Sequence, residues 1–187
     1  AKPCYRFAGP TAPCYAVCGD NRHHSILGAG RCAAPCVSDL APMLSALRAE
    51  VVATGCRAER RVPVAMLYRW AGQTVLAPDE WITSIEWVPQ PGAAFHFAKY
   101  MRWKGDFAEA SVAAYLQGTR RRLTAAGLAL GGVAPGPHVP RKAEATLLGG
   151  PLTRERINAS AAAVVEGALP MKDNAYKAGL AIAQARK

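Results

Sequence analysis

The chain carries six cysteines, and Cys4, Cys14, Cys18, Cys32 and Cys36 all fall within the first 36 of its 187 residues. Cysteines spread along a short secreted chain read as a disulfide framework, whereas thiols gathered at one end read as donors to a metal ion or cluster. Residues 1–36 are rich in Gly and Pro and show no sustained hydrophobic period, so they are expected to form one irregular loop. A loop of that length inside a folded domain needs something to order it. Cys56 stands apart in an apolar stretch and reads as an ordinary buried thiol.

With 51% hydrophobic and 19% charged residues, a chain of this length can bury a core as one domain or two small ones, and disorder is excluded. The longest apolar runs, such as residues 159–165, are too short to span a bilayer. The start, Ala-Lys-Pro-Cys, has no apolar stretch behind a basic segment, so no signal peptide is expected there. The formal net charge of +10 raises nucleic-acid binding as a reading. Only residues 120–122 form a basic triple, however, and neither zinc-finger spacing nor an RNA-binding aromatic signature accompanies it. Docking on acidic partners accounts for the charge, and no nucleic-acid partner is expected.

A helix is expected after the cysteines, capped by Ser38 or Asp39, with Pro42 in its first turn and Leu40, Met43, Leu44 and Leu47 on one apolar face. Strands are expected at 51–54, 60–64, 81–88, 95–103, 111–116 and 123–133, with turns at 78–80, 89–92 and 118–122. Residues 153–167 and 174–185 read as two closing helices. Three strands followed by helices predict a small α+β domain from about residue 93, behind a mixed α/β piece.

Three segments then carry a family likeness. The first, in residues 14–42, runs Cys-Tyr-Ala-Val-Cys-Gly-Asp-Asn-Arg-His-His-Ser-Ile-Leu-Gly, then Cys32, then Val-Ser-Asp-Leu-Ala-Pro. The second is residues 99–112, with Lys99, Asp106-Phe107-Ala108 and Ser111-Val112. The third joins residues 129–135, Arg141-Lys142-Ala143-Glu144 and Asp173-Asn174-Ala175-Tyr176-Lys177. In this order they resemble the flavin subunits of the xanthine dehydrogenase family of molybdenum hydroxylases, nearest the aldehyde oxidoreductase and 4-hydroxybenzoyl-CoA reductase branch. The resemblance implies an α+β fold with two parts. Residues 1–92 would be the second half of a PCMH-type flavin-binding domain with a Cys-rich iron–sulfur loop at 1–36. Residues 93–187 would be a CO dehydrogenase flavoprotein-like C-terminal domain, a three-stranded sheet with helices.

That resemblance implies a [4Fe–4S] cluster on Cys4, Cys14, Cys18 and Cys32, with Cys36 in reserve; by themselves the thiols leave zinc or simple thiols open. It implies FAD contacts from Asp39, Ile82 and Lys99. It further implies a molybdopterin-binding large subunit and a [2Fe–2S] small subunit as partners. The family's Ala-Gly-Gly-Thr and Gly-Gly-Asn turns, which approach the pyrophosphate, do not occur in this sequence, so the N-terminal flavin-binding subdomain is expected to be missing. The implied role is electron relay, with a flavin-free scaffold as the alternative and no acid, base or nucleophile on this chain. The implied compartment is cytoplasmic, or periplasmic after export with a partner. Asn21, Arg22, His23 and His24 are expected to order the loop. Trp70, Trp81, Trp87 and Trp103 are expected in core or interface, while Asp106 and Glu109 show no acid–base partner.

Overall fold

Two antiparallel three-stranded sheets organise the chain, and the computed structural model describes residues 4–8, 11–28, 30, 32–148 and 150–187. A helical turn α1 (Tyr5–Ala8) and a 3-10 turn at Tyr15–Val17 interrupt the expected loop. Helix α2 (Leu40–Ala46) leads into β1 (Glu50–Thr54) and β2 (Glu59–Pro63). A short helix α3 (Val64–Leu67) and a small hairpin, β3 (Tyr68–Trp70) with β4 (Gln73–Thr74), follow unannounced by the sequence pattern. Strand β5 (Trp81–Glu86) completes a first sheet in the order β2-β1-β5.

The second sheet is a meander of β6 (Ala94–Tyr100), β7 (Ala110–Thr119) and β8 (Arg122–Gly131). Its strands alternate small and branched apolar residues, and both faces are covered. One face packs Val112, Leu128 and Leu130 against α4 (Arg141–Leu148), α5 (Arg154–Ala163) and α6 (Tyr176–Ala185) in the main core. Thr153 caps α5, its hydroxyl accepting from the Arg156 N–H at 3.3 Å. The other face carries Ala113 and Ala129 against Ala46 of α2. The α+β architecture read from the sequence is the one observed.

The close seat of α2 explains why its expected face holds only in part, with Met43 and Leu44 packed against core clusters and Leu40 outside them. Ala41, Pro42, Ser45 and Ala46 are its buried positions, while Leu40 is 62% exposed. A Cβ on Gly127 would lie 2.1 Å from the Ala46 carbonyl oxygen, and one on Gly131 would lie 2.8 Å from Pro42 Cγ. A helix backbone pressed that close to a strand admits only small side chains. Of the two expected caps it is Ser38 that serves: the Ala41 N–H donates to Ser38 Oγ at 3.1 Å, and Asp39 makes no capping bond.

The outer edge of β8 is closed by side chains and not by another strand. Glu144, buried on α4, accepts from the Leu128 N–H at 2.8 Å, and Leu130 exchanges backbone bonds with His138. Arg48, in a left-handed conformation just past α2, reaches Glu144 at 2.9 Å and so ties α2 to α4.

Candidate functional site

Lys99 on β6 faces Ser111 on β7, which in turn faces Gly131 on β8. The start of α2 rests on this row, because a Cβ on Gly131 would meet Ser111 Oγ at 2.6 Å and the Ser38 carbonyl oxygen at 3.3 Å. From there Asp39 meets Lys99, whose Nζ donates to Oδ2 at 2.8 Å. The second oxygen, Asp39 Oδ1, is shielded and has no partner, and neither has Ser111 Oγ. An unpaired buried acceptor costs roughly 1–3 kcal/mol, so the site favours a ligand that brings its own donors. Ribityl hydroxyls or a flavin ring N–H are donors of that kind, so the acceptors present here fit that group. Ile82, the third expected contact, lies in the other sheet on β5, opposite Ala53 and 41% exposed.

The cysteine loop is ordered by amides. Asn21 Nδ2 donates to the Ala16 carbonyl at 3.0 Å, and its Oδ1 accepts from the Asp173 N–H at 2.8 Å. Asn174 Nδ2 reaches the His24 and Ser25 carbonyls, each at 3.2 Å. Arg22 pairs with Asp20 instead of bonding loop carbonyls. Ile26 and Leu27 then enter the main core, both donating their N–H groups to the Val133 carbonyl. The chain closes the loop with its own polar groups.

The thiols take separate places in that scheme. Cys14 and Cys18 bracket the 3-10 turn, Cys32 is buried, and Cys4 stands immediately before α1. The Cys36 N–H donates to the Ala134 carbonyl at 2.7 Å, and its thiol meets the Tyr68 hydroxyl. Burial first, and then this contact, push the Tyr68 pKa up. Among the described residues no group of three or more His, Cys, Asp or Glu side chains is placed to hold a metal ion. The geometry of Cys4, Cys14, Cys18 and Cys32 therefore does not fit a four-thiolate cluster as it stands. Cys56 is exposed, contrary to its expected burial.

Glu109 is the principal residue that the sequence left without a partner. At the start of β7 its buried carboxylate accepts from the Tyr176 hydroxyl at 2.7 Å and from Arg102 Nε at 3.0 Å. His23 Nδ1 lies 2.8 Å away, and Lys177 Nζ lies at 3.6 Å while donating to the Gly132 carbonyl at 2.9 Å. Burial alone would raise the carboxyl pKa, but the Tyr176 bond and the Lys177 and His23 charges outweigh it and hold it below the ordinary value. Burial likewise lowers the Lys177 pKa, with Glu109 opposing. The cluster borders a cavity of about 470 Å³ and locks α6, the loop and the sheet together. Its members lie 67 to 86 residues from Glu109 along the chain for Tyr176 and His23, so local pattern gives no hint of it.

The first sheet ends differently on its two sides. Edge strand β2 presents Glu59, Arg60 and Arg61 to solvent, whereas every residue of β5 is exposed, including Trp81 at 64%. Trp87 and Trp103 are exposed as well, so three of the four tryptophans are surface and not core residues.

The Asp39–Lys99 pair thus ties the start of α2 to the strand meander, which helices back on its other face. Residues 25–91 match the family described as the FAD binding domain in molybdopterin dehydrogenase, and residues 94–186 match the CO dehydrogenase flavoprotein C-terminal domain. The chain therefore sets a domain of the FAD-binding type found in molybdopterin dehydrogenase before one of the CO dehydrogenase flavoprotein C-terminal type. No curated protein is significantly similar to it in sequence. Among solved structures, carbon monoxide dehydrogenase from Hydrogenophaga pseudoflava shares the fold with a TM-score of 0.76 at 25% identity, over 91% of this chain and 57% of that one. CO dehydrogenase from Oligotropha carboxidovorans gives 0.73 at 26% identity, over 79% of this chain and 54% of its own. Quinoline 2-oxidoreductase from Pseudomonas putida 86 gives 0.71 at 24% identity, over 88% and 55%, a likeness of fold. The chain thus spans little more than half the length of each of these relatives.

Proposed function

We propose that this chain is the flavin-side electron-relay subunit of a molybdenum hydroxylase acting on an aldehyde or aromatic substrate. The observation that carries the reading is the Asp39–Lys99 pair at the start of α2, with Asp39 Oδ1 left open to an incoming donor. FAD, when bound, supplies the exchange between one-electron carriers and a two-electron acceptor. Asp39 would accept from its hydroxyls or ring N–H, and Lys99 would orient Asp39 and place a cation beside the ring. Ile82 offers an apolar contact from β5. No residue here acts as acid, base or nucleophile; substrate chemistry belongs to a molybdopterin-binding partner, with a [2Fe–2S] subunit between. The exposed apolar edge of β5 and the net charge of +10 support docking on such partners.

The donor chemistry of Cys4, Cys14, Cys18 and Cys32 is what supports a [4Fe–4S] cluster and the aldehyde oxidoreductase and 4-hydroxybenzoyl-CoA reductase branch. Loading where iron–sulfur assembly operates favours a cytoplasmic protein, or one exported with its partner. The ungathered thiols favour a second reading, a flavin-free scaffold that bridges the other subunits.

Purification with the partner subunits without oxygen, with flavin, iron and sulfide quantified on one sample, separates the two. Flavin retained by the wild type and reduced at least tenfold by Asp39→Ala supports the relay. A complex that assembles without flavin sinks it in favour of the scaffold. About four irons beyond those of the partners establish the cluster.

A further inference from the structure

We propose that the β7–β8 turn and the adjoining start of α5 form a docking surface for an acidic segment of another protein, one carrying several neighbouring carboxylates. The turn is Arg120-Arg121, and Arg122 opens β8. The Leu152 N–H donates to the Arg120 carbonyl at 2.8 Å and so pins the α4–α5 connection to the turn. Arg154 begins α5, and Arg156 follows it. Two residues of chain span at most about 7 Å, so Arg154 stands close to the turn. Five guanidiniums, and no lysine, thus gather at one end of the second sheet. The backbone that carries them is braced. The Arg122 N–H donates to Thr119 Oγ1 at 3.3 Å, the Thr124 hydroxyl donates to the Gln117 carbonyl at 3.2 Å, and Gly118 takes φ +116°. Such bracing lowers the ordering cost of binding. Thr119 lies eight residues from Ser111 along β7, roughly 25 Å at the rise of a strand, so the surface is independent of the flavin reading.

The charge is not neutralised from nearby. Arg120, Arg121, Arg122 and Arg154 form no ion pair among the described residues. Arg156 donates to the Pro151 and Thr146 carbonyls, which orients it and leaves its charge in place. Between residues 110 and 165 the acids are Glu144 and Glu155. Glu144 is taken by Arg48 and Arg141, and Glu155 is held at the α5 start by its own N–H and Thr153. One further carboxylate in the neighbourhood would still leave the surface positive. Guanidinium forks suit carboxylates and phosphates alike, so the surroundings decide the partner. Single-stranded nucleic acid is held by aromatic stacking, and residues 117–122 and 150–156 contain no aromatic. Duplexes are tracked by about six or more phosphate contacts, whereas other unpaired cations, such as Arg57 and Lys104, stand on other elements. A membrane surface asks for exposed apolar side chains beside the cations, and residues 117–122 have none. Carboxylates three or four residues apart on a helix lie about 5–6 Å from one another, a spacing that neighbouring guanidiniums on a tight turn can meet.

Fluorescence anisotropy of a labelled octaglutamate peptide with the full chain tests this, beside a short DNA duplex and vesicles containing phosphatidylserine. The wild type should bind the peptide more tightly than either alternative, with an affinity that falls about tenfold as salt rises from about 50 to 200 mM. Arg120→Glu, Arg121→Glu and Arg122→Glu together should weaken peptide binding at least about tenfold, since like charges would then face each other. Arg57→Glu, Lys104→Glu and Lys172→Glu together change the net charge equally at exposed positions on other elements, and should cost no more than about threefold. Equal losses in the two variants would show a response to net charge alone and overturn the proposal. Tighter binding of the duplex or the vesicles by the wild type would overturn it too, in favour of nucleic acid or a membrane, without reference to any variant's folding.

Discussion

Glu109 concentrates more partners than any other side chain near the candidate site, and its removal separates pairing from packing. Gln at this position keeps the volume but strips the charge, leaving Lys177 buried among carbonyls and Arg102 without its acceptor. Breaking one side of a buried charged network costs about 2–4 kcal/mol. Glu109→Gln should therefore lower the urea midpoint by that equivalent with an unchanged slope. The pH dependence has a definite sign. A carboxylate whose folded pKa lies below its unfolded value stabilises the fold fully above the unfolded value, about 4.3, and loses that contribution as pH falls through the lowered one. The difference between wild type and variant should accordingly shrink below about pH 4. A constant difference down to pH 2 would show that the pattern of hydrogen-bond donors and acceptors, and not the carboxylate charge, carries the effect.

At the scale of elements, the seat of α2 on β8 depends on two glycines. Gly127→Ala would drive a methyl group into the Ala46 backbone, and overpacking of this kind costs about 1–3 kcal/mol. Gly179, inside α6, has nothing within 4 Å of an added Cβ, so Gly179→Ala should raise stability by about 0.5–1 kcal/mol through helix propensity. Thermal melts of the pair should move in opposite directions; a shared direction would mean that α2 does not bear on β8. The strands of the second sheet were legible in the sequence because alternation of Val, Leu and Ala survives burial on both faces. The α2 face was legible only in part. Leu40 looks like a core residue until the fold shows that Gly127 and Gly131 bring a backbone within contact of Ala46 and Pro42. Asp39 and Lys99 were expected as separate flavin contacts, from a family likeness alone; their pairing was not foreseen, since 60 residues separate them and no local period joins them. Glu109 was missed for the same physical reason: its partners converge from distant segments, and only the fold shows their meeting.

For the whole molecule, the contrast between the two edges of the first sheet is the feature that points beyond the chain. Unpaired strand edges template association, and proteins blunt them with charge. Strand β2 has that protection from Arg60 and Arg61, each paired with a glutamate, Glu80 and Glu86. Strand β5 lacks it: Trp81, Ile82 and Ile85 stand exposed, with Trp87 and Val88 just beyond. Glu86 is the strand's single charged residue, and it is bound to Arg61. A surface of this kind is stable in water only when covered, so the chain purified alone should self-associate, its light scattering rising with concentration. Ile82→Lys with Ile85→Lys should make it monomeric without lowering the melting temperature, because both side chains are already 41% exposed. The same double variant should fail to join the partner subunits if β5 is the docking edge. Restored solubility together with full assembly would place the docking surface elsewhere, and the basic residues 120–122 at the β7–β8 turn would then be the next surface to test by charge reversal.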